Sequence, residues 1–404
     1  MPQKNDKIIR LLSLYADASK EVEESASKIE STLAKTISSL KNNCNASTEH
    51  VQHYMSYIPS IKKDELIPIG FLRREINIHG TKADDALFKI MPSYGFRPIM
   101  FTLDDINIDG TIRGQTLTNG KTTGITVKIP QIIDSYNVNY SNQPEHIKRI
   151  LNCCHLTRGL QTNKYKTHEL LKKDGRFKDI LISTTLVTKF EDIINALEGE
   201  DIILKAASGN QGRQVIKLSK TGKKYTIMHK TTTRTISLEE LEQYFYENIN
   251  GTRYLIQSYI DSTTKDGEPF DIRIEARRGQ DGKFAINLLP RIGNPATCIS
   301  NMGSSGYTMP VETFLRKNFP DSQKQILEKF NRLASEFPDY YTNLFKEANF
   351  FDIGLDVGIC RHSGRLALFE VNTFIGCNIT GLYSVHAACN YYKYLYEKLY
   401  TLAN

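Results

Sequence analysis

The chain has 404 residues, of which 40% are hydrophobic and 24% charged, with a formal net charge of +7 and seven cysteines. Such a chain is long enough for two or three lobes, each with its own core, and its composition is that of a soluble globular protein. The cysteines (44, 153, 154, 298, 360, 377 and 389) are odd in number and form no C-x-x-C pair, which excludes a secretory disulfide framework; Cys153 and Cys154 read as buried thiols. The charge, read from its total as modest and dispersed, fits an anionic ligand such as a nucleotide, an acidic substrate, or no more than a basic surface. It gives no argument for nucleic acid, and no zinc-finger or basic-helix signature accompanies it. No apolar run reaches the ~18 residues of a membrane span, and the start MPQKNDKIIRLL lacks an apolar signal region, so a cytoplasmic protein is expected.

In chain order, residues 7–41 contain no Pro or Gly and set Val22, Ala26, Ile29, Leu33, Ile37 and Leu40 at helical spacing. This helix could associate with a second copy or pack on the body. A polar linker follows at Asn42–His50. Strand Ile67–Leu72, helix Lys82–Met91 and strand Arg97–Leu103 make a βαβ unit, hence a parallel sheet with a right-handed crossover. Hairpin signals stand at Asp109-Gly110 and Asn119-Gly120, and Thr126–Ile133 reads as a further strand.

Beyond residue 155 the pattern mixes strands and helices in two clusters. Helix Lys164–Lys172 leads to strand Ile180–Thr184, helix Phe190–Leu197 and strand Asp201–Lys205, then a Gly-containing turn and strands Gln214–Leu218, Tyr225–His229 and Arg234–Ser237. Helix Leu238–Asn248 and strands Tyr254–Tyr259, Phe270–Arg277 and Lys283–Arg291 come next. A long helix Ser322–Phe337 precedes strands Ile353–Ile359 and Ala367–Val371 and a last helix from about Gly381. Two α+β lobes flanking a cleft are expected.

Three groups of residues could carry chemistry. Asp356 in FFDIGLDVGI and Glu370 and Asn372 in ALFEVN lie on two runs joined by a turn at His362–Gly364. Residues two apart on a strand share a face, and Asp356 can lie opposite them, so three oxygen donors converge as a hard cation such as magnesium requires. The alternative is a solvated acidic face, although Glu370 sits in an apolar run where an unpaired carboxylate is costly. In IILKAASGNQGRQVIKL, Lys205 leaves an apolar strand beside Gly209 and Gly212, a setting in which a lysine and backbone amides can hold phosphate; a surface hairpin explains it equally. It is not a Walker A sequence. Asp271, Arg273 and Arg291 lie on adjacent strands, followed by the Gly-rich loop from Asn301 to Gly306, and either grip an anion or pair among themselves. No zinc-hydrolase or serine-hydrolase spacing occurs.

Taken in order, Lys164, Lys205 with its Gly turn, LIQSYI, D-I-R, the arginine of PRIG, Asn301 with its Gly-rich loop and D-(x)13-E-V-N resemble the ATP-grasp superfamily. PFDIRIEARRGQDGKF, PRIGNPATCISNMGSSG and DIGLDVGICRHSGRLALFEVN are most similar to its YheC/YheD-like branch, named for spore-coat-associated proteins and related to the ribosomal-protein S6 glutamate ligase and glutathione synthetase types. The resemblance spans roughly residues 66–400 and leaves the N-terminal helix outside. It implies an N-terminal helical segment and linker (1–62), a pre-ATP-grasp α/β lobe (63–152) and an ATP-grasp domain (153–404) with ATP between two α+β lobes. It also implies that Lys164 and Lys205 contact the nucleotide phosphates and that Gln257, Tyr259 and Ile260 form the adenine hinge. Asp356, Glu370 and Asn372 would hold magnesium, and Arg273, Arg291 and Asn301 would grip the transferring phosphoryl group. Gly209–Gly212 would act as a lid. Ser258 stands where many relatives carry an acidic hinge residue, and EVN continues as Thr373-Phe374-Ile375-Gly376 rather than toward a Pro-Gly ending.

The implied reaction is ATP- and magnesium-dependent joining of an amino-acid or peptide carboxylate to an amine through an acyl phosphate, without nucleic acid or membrane as partner. The alternatives are an ATP-grasp small-molecule kinase and a non-catalytic, ATP-binding coat or assembly protein that self-associates through its N-terminal helix.

Overall fold

The run IPIGFL forms strand β1 (Ile67–Leu72), whose last four residues are buried, as a central parallel strand covered on both faces must be. Helix α1 (Lys82–Ile90) starts where the Thr81 hydroxyl accepts from the Asp84 amide, and β2 (Phe96–Phe101) returns parallel to β1 in the register Ile67↔Phe96. This is the expected βαβ unit. The computed structural model describes residues 66–136, 138–157, 163–207, 214–300, 306–345, 350–373, 375 and 381–401. The helix expected over 7–41, the Gly209–Gly212 turn and Asn301 lie outside them.

Strands β3 (Thr111–Thr118) and β4 (Lys121–Lys128) pair antiparallel through Asn119-Gly120, both at positive φ (51° and 74°), as the Asn-Gly signal predicts. The single strand expected over 126–133 is two strands. Pro130 interrupts it, and β5 (Ile132–Ser135) pairs on the far side of β1. Helix α2 (Glu145–Asn152), not foreseen, leads to the short β6 (His155–Leu156), giving the order β4-β3-β2-β1-β5-β6. Cys153 follows the end of α2 and is exposed and Cys154 is half-buried, so this pair is not the buried thiol pair expected.

The second sheet is entirely antiparallel. After α3 (Lys164–Asp174) come β7 (Thr184–Leu186), α4 (Phe190–Leu197), β8 (Ile202–Ala206), β9 (Val215–Thr221), β10 (Lys224–His229), β11 (Thr232–Ile236), α5 (Leu238–Asn248) and β12 (Tyr254–Ser258). The order is β11-β10-β9-β8-β12-β7. Ile202, Leu204, Ile216 and Ile256 turn one face against α4 and α5, which leaves the alternate residues on the other face. The strand expected at Ile180–Thr184 starts only at Thr184. Ile180 and Leu181 instead meet the third sheet, where Leu368 N donates to Ile180 O at 2.8 Å.

That third sheet, in the order β15-β14-β13-β16-β17, contains β13 (Phe270–Arg278), β14 (Phe284–Ile292) and the short β15 (Tyr307–Thr308). Helices α6 (Val311–Asn318) and α7 (Gln323–Leu344) follow, then β16 (Asp352–Ile359), β17 (Leu366–Asn372) and α8 (Gly381–Thr401). Helix α7 does not stop before Pro338 as expected. An interior proline costs a helix ~3 kcal/mol, but the turn beyond it carries Tyr340 and Tyr341, both buried in the core behind the sheet.

Helix α8 packs on the first sheet, where the Tyr392 hydroxyl donates to Asp134 at 2.7 Å. Asp134 also accepts from Arg73 at 2.9 Å, and Arg73 reaches Asp84 of α1 at 2.8 Å. Among the described residues no helix is long and apolar enough to cross a membrane.

Candidate active site

Alternation makes the third sheet two-faced. On β13, Phe270, Ile272, Ile274 and Ala276 enter the core, so Asp271, Arg273, Glu275 and Arg277 occupy the opposite face. On β16, Ile353, Leu355, Val357 and Ile359 enter the core, which leaves Asp356 beside Arg273, its register partner.

Strand β17 would defeat this arrangement if it were regular, because Glu370 and Asn372 would follow Leu366 and Leu368 into the core. A bulge intervenes. The register passes from Val357↔Leu368 to Asp356↔Glu370 and leaves Phe369 unmatched, which turns Glu370 and Asn372 to the polar face. The Phe369 ring rests on Gly358, where a Cβ would stand 2.3 Å from its Cζ. The Phe369 carbonyl accepts from Lys205 Nζ at 2.8 Å.

Asp356 is the hub of the polar face. Arg273 Nε donates to its Oδ1, and Arg273 Nη2 to its Oδ2 at 2.9 Å. Arg291 Nη2 lies 3.0 Å from Oδ1, and Asn372 Nδ2 donates to Oδ2 at 3.3 Å. Arg291 also binds Asp271, through Nε at 2.6 Å. Burying an ion costs several kcal/mol, whereas a charge pair about 4 Å apart gains about 4 kcal/mol at an effective dielectric near 20. Arg273 and Arg291 are largely buried too, so the pairing offsets the burial of the cluster rather than adding stability beyond it. Burial works against the Asp356 charge, but Arg273 and Arg291 hold its carboxyl well below the usual carboxylate range. Asp271 moves the other way: burial and the Asp356 charge raise it, against Arg291.

The second sheet and α3 supply the opposing wall. Lys205 on β8 and Leu255 on β12 are register partners, and Gln257, hydrogen-bonded to the Thr184 hydroxyl at 2.8 Å, faces the same way. Lys164, at the start of α3, reaches Glu370 Oε1 at 3.3 Å. Burial lowers Lys205 to about 8; Glu370 and Asp356 raise it, and Lys164 lowers it. An open cleft results, with Lys164, Lys205, Gln257, Leu368 and Glu370 in its lining.

Of the residues singled out from the sequence, the structure brings together Lys164, Lys205, Gln257, Arg273, Arg291, Asp356, Glu370 and Asn372. Tyr259 and Ile260 stand at the exit of β12, outside the cleft lining. The Tyr259 amide donates to Asp201 O at 2.9 Å, and its ring carries the Lys217 ammonium 3.5 Å from the centroid. The Ser258 hydroxyl donates to Glu200, which lies in the turn before β8. Sequence reasoning missed Thr167, His168 and Lys217. Thr167 and His168 line the cleft three and four residues after Lys164, and that helical spacing was a usable signal. Burial keeps the His168 imidazole below its ordinary value.

Among the described residues no three His, Cys, Asp or Glu side chains cluster as a metal site. The third donor of the candidate set is instead the Asn372 amide, which gives its nitrogen to Asp356 and keeps its oxygen. An all-oxygen set of two carboxylates and one amide carbonyl fits a hard divalent cation. Lys164, Lys205, Arg273 and Arg291 outnumber Asp271, Asp356 and Glu370 by one charge, so the cleft favours an anion.

Two antiparallel sheets thus face each other across a cleft lined by Lys164, Lys205 and Glu370, with Asp356, Arg273 and Arg291 on the polar face of the third sheet. The chain belongs to the YheC/D-like ATP-grasp family, whose sequence profile matches residues 154–397. It is similar to the endospore coat-associated proteins of Bacillus subtilis (strain 168). The identity to YheD is 24% over 59% of this chain and 55% of YheD, so the chain spans about half the length of that relative. The identity to YheC is 24% over 76% of this chain and 88% of YheC. Among solved structures, N5-carboxyaminoimidazole synthetase from Staphylococcus aureus aligns with a TM-score of 0.45 and 11% identity, covering 80% of this chain and 77% of that one.

Proposed function

We propose that the chain is an ATP- and magnesium-dependent carboxylate–amine ligase acting on an amino acid or peptide. The observation that carries this reading is Asp356, held between Arg273 and Arg291 and facing Lys164 and Lys205 across the cleft. Such an array stabilises charge on a transferring phosphoryl group, which is most of what phosphoryl transfer asks of a protein.

In this reading Lys164 and Lys205 hold the nucleotide phosphates, and Leu368 and Gln257 flank the adenine. Asp356, Glu370 and Asn372 would hold magnesium, whose contribution is to neutralise phosphate oxygens as a Lewis acid. Both oxygens of Asp356 are already engaged, so metal binding there requires Arg273 to release one of them and become available to the phosphoryl group. A substrate carboxylate oxygen attacks the γ-phosphorus, the bond to the β-phosphate oxygen breaks, and ADP departs. The amine then attacks the acyl-phosphate carbonyl, expels phosphate and loses a proton. Arg273 and Arg291 neutralise charge in both steps.

Hydroxylamine trapping tests this reading. With magnesium, ATP and pools of candidate carboxylates, hydroxamate and free phosphate should accumulate together. Phosphorylated substrate without hydroxamate would instead indicate a kinase, and nucleotide binding without turnover on any pool would indicate a non-catalytic protein. Glu370 is only partly buried, so Glu370→Ala should keep the fold by circular dichroism and lose magnesium-dependent turnover. Wild-type turnover in that variant would rule out its metal role.

A further inference from the structure

The net charge is not dispersed. Between Ile202 and Leu238 the sequence holds eight Lys and Arg and no Asp or Glu, more than the whole chain's net +7. The rest of the chain is therefore slightly acidic. This stretch contains β8 to β11, and β11 is the outermost strand of its sheet. Lys205 faces the cleft, Lys217 lies over the Tyr259 ring, and Lys220 pairs with Glu198 at 2.5 Å. Lys223, Lys224, Lys230 and Arg234 are exposed around the β9–β10 turn, the β10–β11 turn and β11 itself. Of the acids bordering the patch, Asp201 pairs with Lys217 at 3.1 Å and Glu240 accepts from the Ser237 amide at 2.7 Å, while Glu239 and Glu242 are exposed in the first turns of α5.

Natural sheets blunt an edge with charged side chains, lysine above all, with a proline or with a bulge. Strand β11, Thr-Thr-Arg-Thr-Ile, has no lysine, proline or bulge, and Arg234 is its one charged residue. Four of its five residues are β-branched, four are exposed, and its pairing with β10 is regular. The lysines sit at the turns, where they leave the backbone edge accessible. Single-stranded nucleic acid would call for exposed aromatic stacking platforms. Tyr225, the sole Phe, Tyr or Trp in β9 to β11, is buried.

We propose that this edge docks an extended, acidic polypeptide segment, which adds as a strand beside β11 with its carboxylates against Lys223, Lys224, Lys230 and Arg234. Main-chain hydrogen bonds would supply affinity and the basic turns selectivity, as in other strand-addition complexes. The proposal does not depend on the reaction assigned to the cleft.

The test uses the full chain and a fluorescent synthetic peptide of alternating Glu and Val, read by anisotropy. Comparison probes are a Glu peptide with proline at alternate positions, which cannot form a ladder, and a labelled oligo-dT. The Glu-Val peptide should bind, weaken as salt rises, and protect the β11 amides from hydrogen exchange. The combined variant Lys223→Glu, Lys224→Glu, Lys230→Glu should bind it at least about tenfold more weakly with an unchanged melting temperature. The proposal is overturned if the peptide does not bind, if the proline peptide or oligo-dT binds as tightly, or if the β11 amides gain no protection.

Discussion

Lys205 is an ammonium buried beside two carboxylates that compensate only part of its lost hydration, which lowers its pKa to about 8 from the ordinary 10.5. Below pH ~8 it is charged in both folded and unfolded chains, and the folded state bears the burial cost. Between about 8 and 10.5 the unfolded chain binds the extra proton, so the contribution of this residue to stability rises with pH across that window. Nucleotide binding reverses the preference, because phosphate favours the charged form and raises the pKa. Calorimetric titration with a magnesium-complexed ATP analogue at pH about 8.5, in buffers of different ionisation heat, should therefore show net proton uptake. Zero uptake would mean that the phosphates do not approach Lys205.

Among the secondary-structure elements, the β17 bulge decides where Glu370 points, and it depends on Gly358 leaving room for the Phe369 ring. Gly358→Ala should push that ring aside and shift the carbonyl that anchors Lys205. A loss of about 1–3 kcal/mol in denaturant unfolding is expected, as for other overpacked sites, together with weaker nucleotide binding; unchanged values for both would remove the bulge from the account. This element also marks the limit of what the sequence tells. Alternation in DIRIEAR and DIGLDVGI shows which side chains share a face, and the Gly364 turn shows that β16 and β17 pair. The bulge itself is set by a contact between Phe369 and Gly358, eleven positions away on the partner strand, and no local pattern encodes it. Pro338 was likewise misleading, because its helix is held by tertiary burial of Tyr340 and Tyr341 rather than by local propensity. His168 and Lys217 were readable in principle, at helical spacing from Lys164 and on the cleft face of β9.

For the whole molecule, the family and the two-lobed plan are legible from ordered motifs, because each motif sits where a strand or turn must present it. The joining of the lobes is not, since it rests on long-range bonds such as Lys205 to Phe369 and Leu368 to Ile180. Those bonds, with the single excess positive charge, make the cleft the centre of the account. Its most direct test is calorimetric titration of the full chain with a magnesium-complexed, non-hydrolysable ATP analogue, compared with Lys164→Ala. Saturable one-to-one binding by the native chain is expected, with an affinity at least about tenfold lower in the variant, which is about 1.4 kcal/mol. Absence of saturable binding, or equal affinity in the two proteins, would contradict it.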